Sequence, residues 1–220
     1  MRRILLVLTA SVLLTACGDD TPSGGDADLD GGDGTSEEST TSPAADAFKT
    51  PDDWPPASER RLREDHEPTP FSAGQIARAC GPESKRVMRF EPQGRDTYFR
   101  VWTFSDQTDE GATWHDAESD EAGVENGTKK SNQVTWKELQ SHASWPTQNV
   151  TGSNAKLKTP AGTYDCMHYV VTQDGAAGPA EYHYWFAYDL PGPPIRLEQY
   201  VRGTLKVTIT TIKAEGIQGR

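Results

Sequence analysis

The sequence predicts an α+β domain: a twisted antiparallel sheet of six to eight strands, either open or curled into a half-open barrel, with two short helices on one face. Runs rich in β-branched and aromatic residues alternate with turn residues over most of residues 67–220. Two other stretches carry the residue pattern that begins a helix. A stretch of about 150 residues can bury a substantial core, so we expect a single globular domain there.

Six runs are predicted to be strands because they are rich in Val, Ile, Thr, Tyr or Phe and are bounded by turn residues. They cover residues 86–91, 97–104, 163–172, 182–188, 195–200 and 204–212, and weaker candidates lie at 112–117 and 154–158. In the last run Leu205, Val207 and Ile209 alternate with polar residues. This alternation indicates a strand with one buried and one hydrated face, which is typical of antiparallel sheets.

The same alternation suggests a register for the last hairpin. A two-residue loop would place Leu197 opposite Thr208, which mixes apolar and polar residues on one face. A three-residue loop, residues 201–203, instead places Leu197 opposite Val207. We therefore predict the three-residue loop, with Gly203 in the left-handed conformation that such loops favour.

Two capping boxes predict where the helices begin. Ser72 is followed three residues later by Gln75, and Thr135 is followed by Glu138. In each pair the hydroxyl can accept a hydrogen bond from the later amide, while the later side chain accepts one from the amide of the cap. Gly81 follows the first helix closely and is a usual stop signal, so that helix should be short.

Residues 17–66 are predicted to form an acidic, disordered tether. From residue 18 to residue 66 there are 14 acidic and 4 basic residues, in a chain whose net charge is −11. Apolar residues there are too few to offset the entropy of ordering, and about forty residues of flexible coil would span roughly 35 Å. Because the acidity lies in this spacer and no basic stripe is visible, we do not expect a nucleic-acid partner.

The first seventeen residues have the order of an export leader. Two arginines precede an apolar run at residues 4–14, which is shorter than the roughly 20 residues that a helix needs to span a bilayer. The leader ends in the motif Leu-Thr-Ala-Cys at residues 14–17, which resembles the lipobox of bacterial lipoproteins. The resemblance implies that residues 1–16 are a signal peptide and that Cys17 is joined to a diacylglyceryl group, so that membrane lipid is a partner of the chain.

The residue after the lipidated cysteine bears on location. Some enterobacterial lipoproteins carry aspartate there and stay in the inner membrane, whereas this chain has Gly18. The resemblance therefore implies a lipid-anchored protein of the bacterial cell envelope, with the outer membrane favoured if the source is Gram-negative.

Cys80 and Cys166 are the two cysteines that remain after Cys17. An exported protein enters an oxidising compartment, and an even number of cysteines is what a single disulfide would leave. We predict a Cys80–Cys166 disulfide, which would close a loop of about 85 residues and contribute about 4 kcal/mol. The alternative is a pair of separate buried thiols.

Motifs of common enzymes are absent: the chain has no HExxH, GxSxG, P-loop or CxxC sequence. The best metal candidate is His168 with His183, on two strands expected to pair. If paired residue numbers sum to about 351, the two imidazoles lie opposite each other with Cys166 one diagonal away, and zinc or copper would suit these ligands. Another register places Trp185 opposite His168 and makes the histidines aromatic neighbours, so we predict no metal or other cofactor.

Aromatic residues are frequent in the predicted domain, and most should fill its core. Tyr182, Tyr184 and Phe186 alternate along one predicted strand and so share a face, while Trp185 lies between them in sequence. These four residues are the candidate lining of a pocket for a hydrophobic ligand. The alternative is that they belong to the core.

Two segments of the domain carry a further resemblance. The sequences TPAGTYDC, residues 159–166, and WFAYDLPGPP, residues 185–194, resemble parts of uncharacterised domains in secreted bacterial lipoproteins. Some of these domains are half-open barrels. The resemblance supports the fold prediction and implies no role for any residue.

Three functional hypotheses follow. The first is a lipid-anchored envelope lipoprotein with a non-enzymatic binding or structural domain, whose partner is an envelope protein or a hydrophobic ligand. The second is a carrier or chaperone that shelters an acyl chain in the groove of a half-barrel. The third is a metal-dependent enzyme that uses His168 and His183. Because no motif specifies a reaction, we favour a protein that is not an enzyme.

Overall fold

The structure is a computed structural model that describes residues 50–217. It contains three short α-helices and nine β-strands, with a 3-10 turn at Thr147–Asn149. The helices are α1 (Ala57–Arg60), α2 (Ala73–Ala79) and α3 (Trp136–Ser141). The strands are β1 (Lys85–Pro92), β2 (Tyr98–Ser105), β3 (Gly111–Ser119), β4 (Glu125–Thr135), β5 (Val150–Thr159), β6 (Gly162–Gly175), β7 (Gly178–Ala187), β8 (Arg196–Val201) and β9 (Thr204–Glu215).

The predicted signal peptide, the lipidated Cys17 and the tether as far as residue 49 lie outside the described residues. Within residues 50–217 no helix combines the length and the apolar character needed to cross a membrane.

All nine strands form a single antiparallel sheet in the order β4-β3-β2-β1-β9-β8-β7-β6-β5. The strands β4 and β5 lie at its two ends, so the sheet is open. The predicted α+β class and antiparallel sheet are confirmed, with one strand more than the predicted six to eight.

The additional strand is β4. Its sequence, ENGTKKSNQVT, is polar, and most of its side chains are exposed, so neither alternation nor hydrophobicity marks it as a strand. It pairs only with β3. Lys129 and Lys130 lie on this exposed edge, where charged side chains discourage pairing with the strand of another molecule.

The last hairpin differs from the prediction. It has a two-residue loop, and residues 202 and 203 both have positive φ, 50° and 73°, as the favoured type I′ turn requires. A β-bulge next to Gln199 then shifts the pairing by one residue, so that Leu197 lies opposite Ile209. The predicted pairing of Leu197 with Val207 was wrong because a bulge can keep both the tight turn and the apolar face.

Both predicted capping boxes are present. The Ser72 hydroxyl accepts a hydrogen bond from the Gln75 amide (3.3 Å), and the Gln75 side chain accepts one from the Ser72 amide (2.9 Å). At α3 the Thr135 hydroxyl accepts from the Glu138 amide (3.1 Å), and the Glu138 carboxylate accepts from the Thr135 amide (2.8 Å). These local bonds fix the starts of α2 and α3.

The packed body of the protein begins before residue 67, the predicted boundary of the tether. Trp54 is 9% exposed and Arg60 is 8% exposed. The Arg60 guanidinium donates hydrogen bonds to the carbonyls of Pro55 (3.0 Å) and Thr69 (2.6 Å). The sequence gives little sign of this packing because the segment contains few apolar residues, but one buried arginine holds its backbone against the domain.

The core lies mainly on one side of the sheet. We call this side the helix face, because strand residues such as Met167 and Phe186 pack there with Ile76 of α2 and Trp136 of α3. The same cluster reaches Ala112 on β3, so the helices connect the two halves of the open sheet. Smaller clusters on the opposite face contain Val87 and Ala187 among their members.

Candidate binding surface

Five apolar and aromatic residues from five neighbouring strands lie directly opposite one another across the helix face. Their order across the sheet is Tyr98 (β2), Phe90 (β1), Ile209 (β9), Leu197 (β8) and Tyr184 (β7). We call these five residues the apolar row. Because neighbouring strands lie about 4.8 Å apart, the four steps of the row span about 19 Å.

The apolar row is open at one end and joined to the core at the other. Tyr98 is 45% exposed, and its ring stacks on Phe90 with the centroids 4.9 Å apart and the planes 13° apart. At the other end the ring of Tyr184 stacks on the core residue Trp145 at 4.9 Å. Phe90, Ile209, Leu197 and Tyr184 are all partly exposed, so the row is an accessible extension of the core.

The row is about one residue wide. On one side the row is bounded by polar groups, because the Gln199 amide donates a hydrogen bond to the Tyr182 hydroxyl (3.0 Å). On the other side Met88 and Phe186 are buried, at 2% and 4% exposure. Burial raises the pKa of the Tyr184 phenol, so this ring remains neutral. The surface is therefore a narrow, uncharged strip.

A depression of about 700 Å³ adjoins the Tyr98 end of the row, and we call it the polar depression. Arg100 in its wall pairs with Asp116, with Nε and Oδ1 2.6 Å apart, and the Trp102 indole donates a hydrogen bond to the same oxygen (2.9 Å). The lining residues are Thr97, Tyr98, Phe99, Arg100, Glu118, Ser119, Asp120, Glu121 and Asn126.

The four residues predicted to line a pocket are divided between the two faces. Tyr184 belongs to the apolar row, Tyr182 borders it, and Phe186 is buried in the core. Trp185 points to the opposite face, with His168, so its assignment to the same pocket was wrong. Alternation along the strand separates Trp185 from its neighbours.

Sequence reasoning missed most of the row. Phe90 and Tyr98 lie on consecutive strands, as do Leu197 and Ile209, and only the pairing of β1 with β9 brings the two pairs together. No local sequence signal identified that pairing, because it joins the first strand of the domain to the last.

His168 and His183 are close but not directly opposite. His168 lies opposite Trp185, and His183 lies opposite Val170. The His168 Nε2 and His183 Nδ1 atoms are 3.1 Å apart, and the His183 Nε2 is 2.8 Å from a carboxylate oxygen of Glu181. Burial, and then the neighbouring His183, lower the pKa of His168. Among residues 50–217 no three His, Cys, Asp or Glu side chains form a group that could hold a metal ion.

Cys80 and Cys166 are free thiols in the structure, so the predicted disulfide is not formed there. Both are buried, but they belong to different hydrophobic clusters. Burial raises the pKa of Cys80 to about 11 and that of Cys166 to about 12. These thiols match the alternative prediction of separate buried cysteines.

No protein-family profile matches the chain, and no curated protein sequence matches it. Among solved structures, an exported protein with a YmcC-like fold from Bacteroides fragilis is similar at 10% identity and a TM-score of 0.39, covering 62% of this chain and 97% of that chain. MucB in its complex with MucA from Pseudomonas aeruginosa is similar at 10% identity and a TM-score of 0.43, covering 67% of this chain and 56% of that chain. MucB alone gives 11% identity, a TM-score of 0.43 and coverage of 67% and 58%.

Proposed function

We propose that this protein is a lipid-anchored envelope protein, without catalytic activity, whose domain binds the acyl chain of an amphiphilic ligand along the apolar row. The observation that carries the proposal is the register of five strands, which places five apolar side chains in one continuous, partly exposed line. A ligand that covers such a line removes apolar surface from water, and this contributes favourable binding free energy.

The shape of the row favours a slender ligand over a protein partner. A standard protein interface buries about 800 Å² on each side. Four of the five row residues are mostly buried already, and the surface ends at the hydrogen-bonded pair Tyr182 and Gln199. A strip one residue wide and about 19 Å long instead fits an extended hydrocarbon chain lying across the strands.

The proposed anchor is Cys17, and its support is the lipobox-like motif at residues 14–17. The acidic stretch between Cys17 and residue 50 would separate the domain from the headgroups and let it meet ligands in the envelope. The outer membrane is the proposed address if the source is Gram-negative.

Ligand binding is tested with full-length protein that carries Cys17→Ser and therefore has no acyl group of its own. The protein is titrated with the uncharged apolar fluorophore N-phenyl-1-naphthylamine, and 1-dodecanol is then added as a competitor. Leu197→Gln and Tyr98→Ser should each weaken binding about 5- to 30-fold, because each removes roughly 1–2 kcal/mol of apolar contact.

Val124→Gln is the matched control, because Val124 is 61% exposed and lies in the turn between β3 and β4, outside the row. Circular dichroism of each variant shows whether the fold is kept. The proposal is contradicted if the protein with an intact row does not bind the fluorophore. It is also contradicted if folded Leu197→Gln protein binds the fluorophore as tightly as the protein with an intact row.

The anchor is tested separately by fractionating cells that express either the natural chain or Cys17→Ser. The natural chain should partition with membranes and yield a Cys17-containing peptide of increased mass after lipid attachment. Equal membrane partitioning of the two proteins would show that Cys17 is not the anchor.

A further inference from the structure

We infer that the ligand of the apolar row carries a polar head that donates hydrogen bonds and bears no negative charge, and that this head occupies the polar depression. The inference rests on the proposed function and adds the chemical class of the ligand's head. It is carried by the position and the charges of the polar depression.

The position follows from the strand register. Tyr98 belongs both to the apolar row and to the lining of the polar depression. Arg100, two residues further along β2, lies opposite Glu118 of β3, and both face the same side as Tyr98. A chain lying along the row therefore ends where the polar depression begins, as an amphiphile requires.

The charges in the wall disfavour an anionic head. Arg100 is the lining residue with a positive charge, and its Nε is already 2.6 Å from the Asp116 carboxylate. Glu118, Asp120 and Glu121 add three carboxylates to the wall. A carboxylate or phosphate head would be repelled by them, whereas hydroxyl and ammonium groups can donate hydrogen bonds to their oxygens.

The side-chain amide of Asn126 also lines the polar depression. It offers a polar head both a hydrogen-bond donor and an acceptor.

Tyr98 completes the site. Its ring is held in place by the stack on Phe90, while 45% of the residue remains exposed. An aromatic ring fixed in this way presents an apolar, electron-rich surface that can pack on the carbon atoms of a sugar or beneath an ammonium group. Hydroxyl-rich and amine heads thus share the chemistry that the polar depression recognises.

The test uses full-length Cys17→Ser protein and three probes with the same twelve-carbon chain: dodecyl maltoside, dodecylamine and dodecanoate. Each is titrated by calorimetry below its critical micelle concentration and at low salt. The maltoside or the amine should bind at least about tenfold more tightly than dodecanoate, and which of the two binds better identifies the head as hydroxyl-rich or cationic. Equal or tighter binding of dodecanoate would overturn the inference while leaving the proposed function intact.

Variants separate the head from the chain. Asn126→Ala should weaken binding of the preferred probe about three- to tenfold, as expected for one lost hydrogen bond, and should leave binding of the apolar fluorophore N-phenyl-1-naphthylamine unchanged. Asn132→Ala, on the same strand but outside the polar depression, is the matched control. Leu197→Gln should weaken all probes alike. If no twelve-carbon probe binds, the proposed function fails together with the inference, and if Asn126→Ala binds every probe as the unmutated chain does, the inference alone fails.

Discussion

The Nε2 of His168 and the Nδ1 of His183 lie within hydrogen-bond distance, 3.1 Å apart. The direction of a hydrogen bond between them is set by Glu181, whose carboxylate lies 2.8 Å from the His183 Nε2 and accepts a hydrogen bond from an N–H there. A neutral His183 then has only Nδ1 left as an acceptor, and His168 must be the donor. This hydrogen bond forms when both rings are neutral. The His168 ring also stacks on the Trp185 ring, with the centroids 4.4 Å apart.

The histidine pair predicts a loss of stability in mild acid. The folded-state pKa of His168 lies below its ordinary value of 6.5, first because of burial and then because of His183. The unfolded chain therefore binds more protons in this range, and the free energy of unfolding should fall as the pH drops through about 6.5 towards the folded-state pKa. His168→Asn should flatten this dependence, measured by urea denaturation at a series of pH values. At a pH well above the pKa, the difference in unfolding free energy between the natural chain and His168→Asn measures any loss of packing. If the two proteins lose stability equally as the pH falls, His168 is not the group responsible.

The capping box of α3 predicts a measurable stability difference. Thr135→Ala should lower the free energy of unfolding by about 1 kcal/mol, because it removes the acceptor for the Glu138 amide. Glu138→Gln should cost less, since an amide oxygen can still accept from the Thr135 backbone. Denaturation of Thr135→Ser, which keeps the hydroxyl, provides the control. A serine variant as unstable as the alanine variant would show that the hydroxyl is not the stabilising group.

Arg60 should be required for packing of the segment before residue 67. Arg60→Met removes the donors for the carbonyls of Pro55 and Thr69, and buried acceptors without partners cost about 1–3 kcal/mol. Thermolysin should then cut residues 50–66 faster than in the natural chain. The exposed Arg63→Met is the matched control. Equal protection of the Arg60 and Arg63 variants would show that the buried guanidinium does not hold the segment.

The two buried thiols should be reduced and unreactive in the folded protein. Cys17→Ser protein prepared without reductant should release two thiols to Ellman's reagent only after denaturation, because Cys80 and Cys166 are 3% and 0% exposed and burial raises their pKa values. Protein that is treated with reductant before denaturation gives the total number of thiols for comparison. Detection of no thiols without reductant and two thiols with it would reveal the disulfide that the sequence suggested.

Local patterns carried much of the fold prediction. The capping boxes at Ser72 and Thr135 could be read within four residues because their hydrogen bonds join neighbours in the chain. Strand β4 could not be recognised, since an exposed edge strand needs no apolar side chains. The bulge beside Gln199 could not be predicted either, because it depends on fitting the two-residue turn and the apolar face of the strands together.

By itself the sequence determined most of the secondary structure, the α+β class and the lipobox-like leader, because each depends on residues that are adjacent or regularly spaced. Only the tertiary structure decided which side chains share a surface. It placed Tyr98 and Phe90 beside Ile209 and Leu197, and it sent Trp185 to the opposite face from Tyr184. The physical reason is that strand order and register arise from packing over the whole sheet, and a shift of one residue moves a side chain from one face to the other.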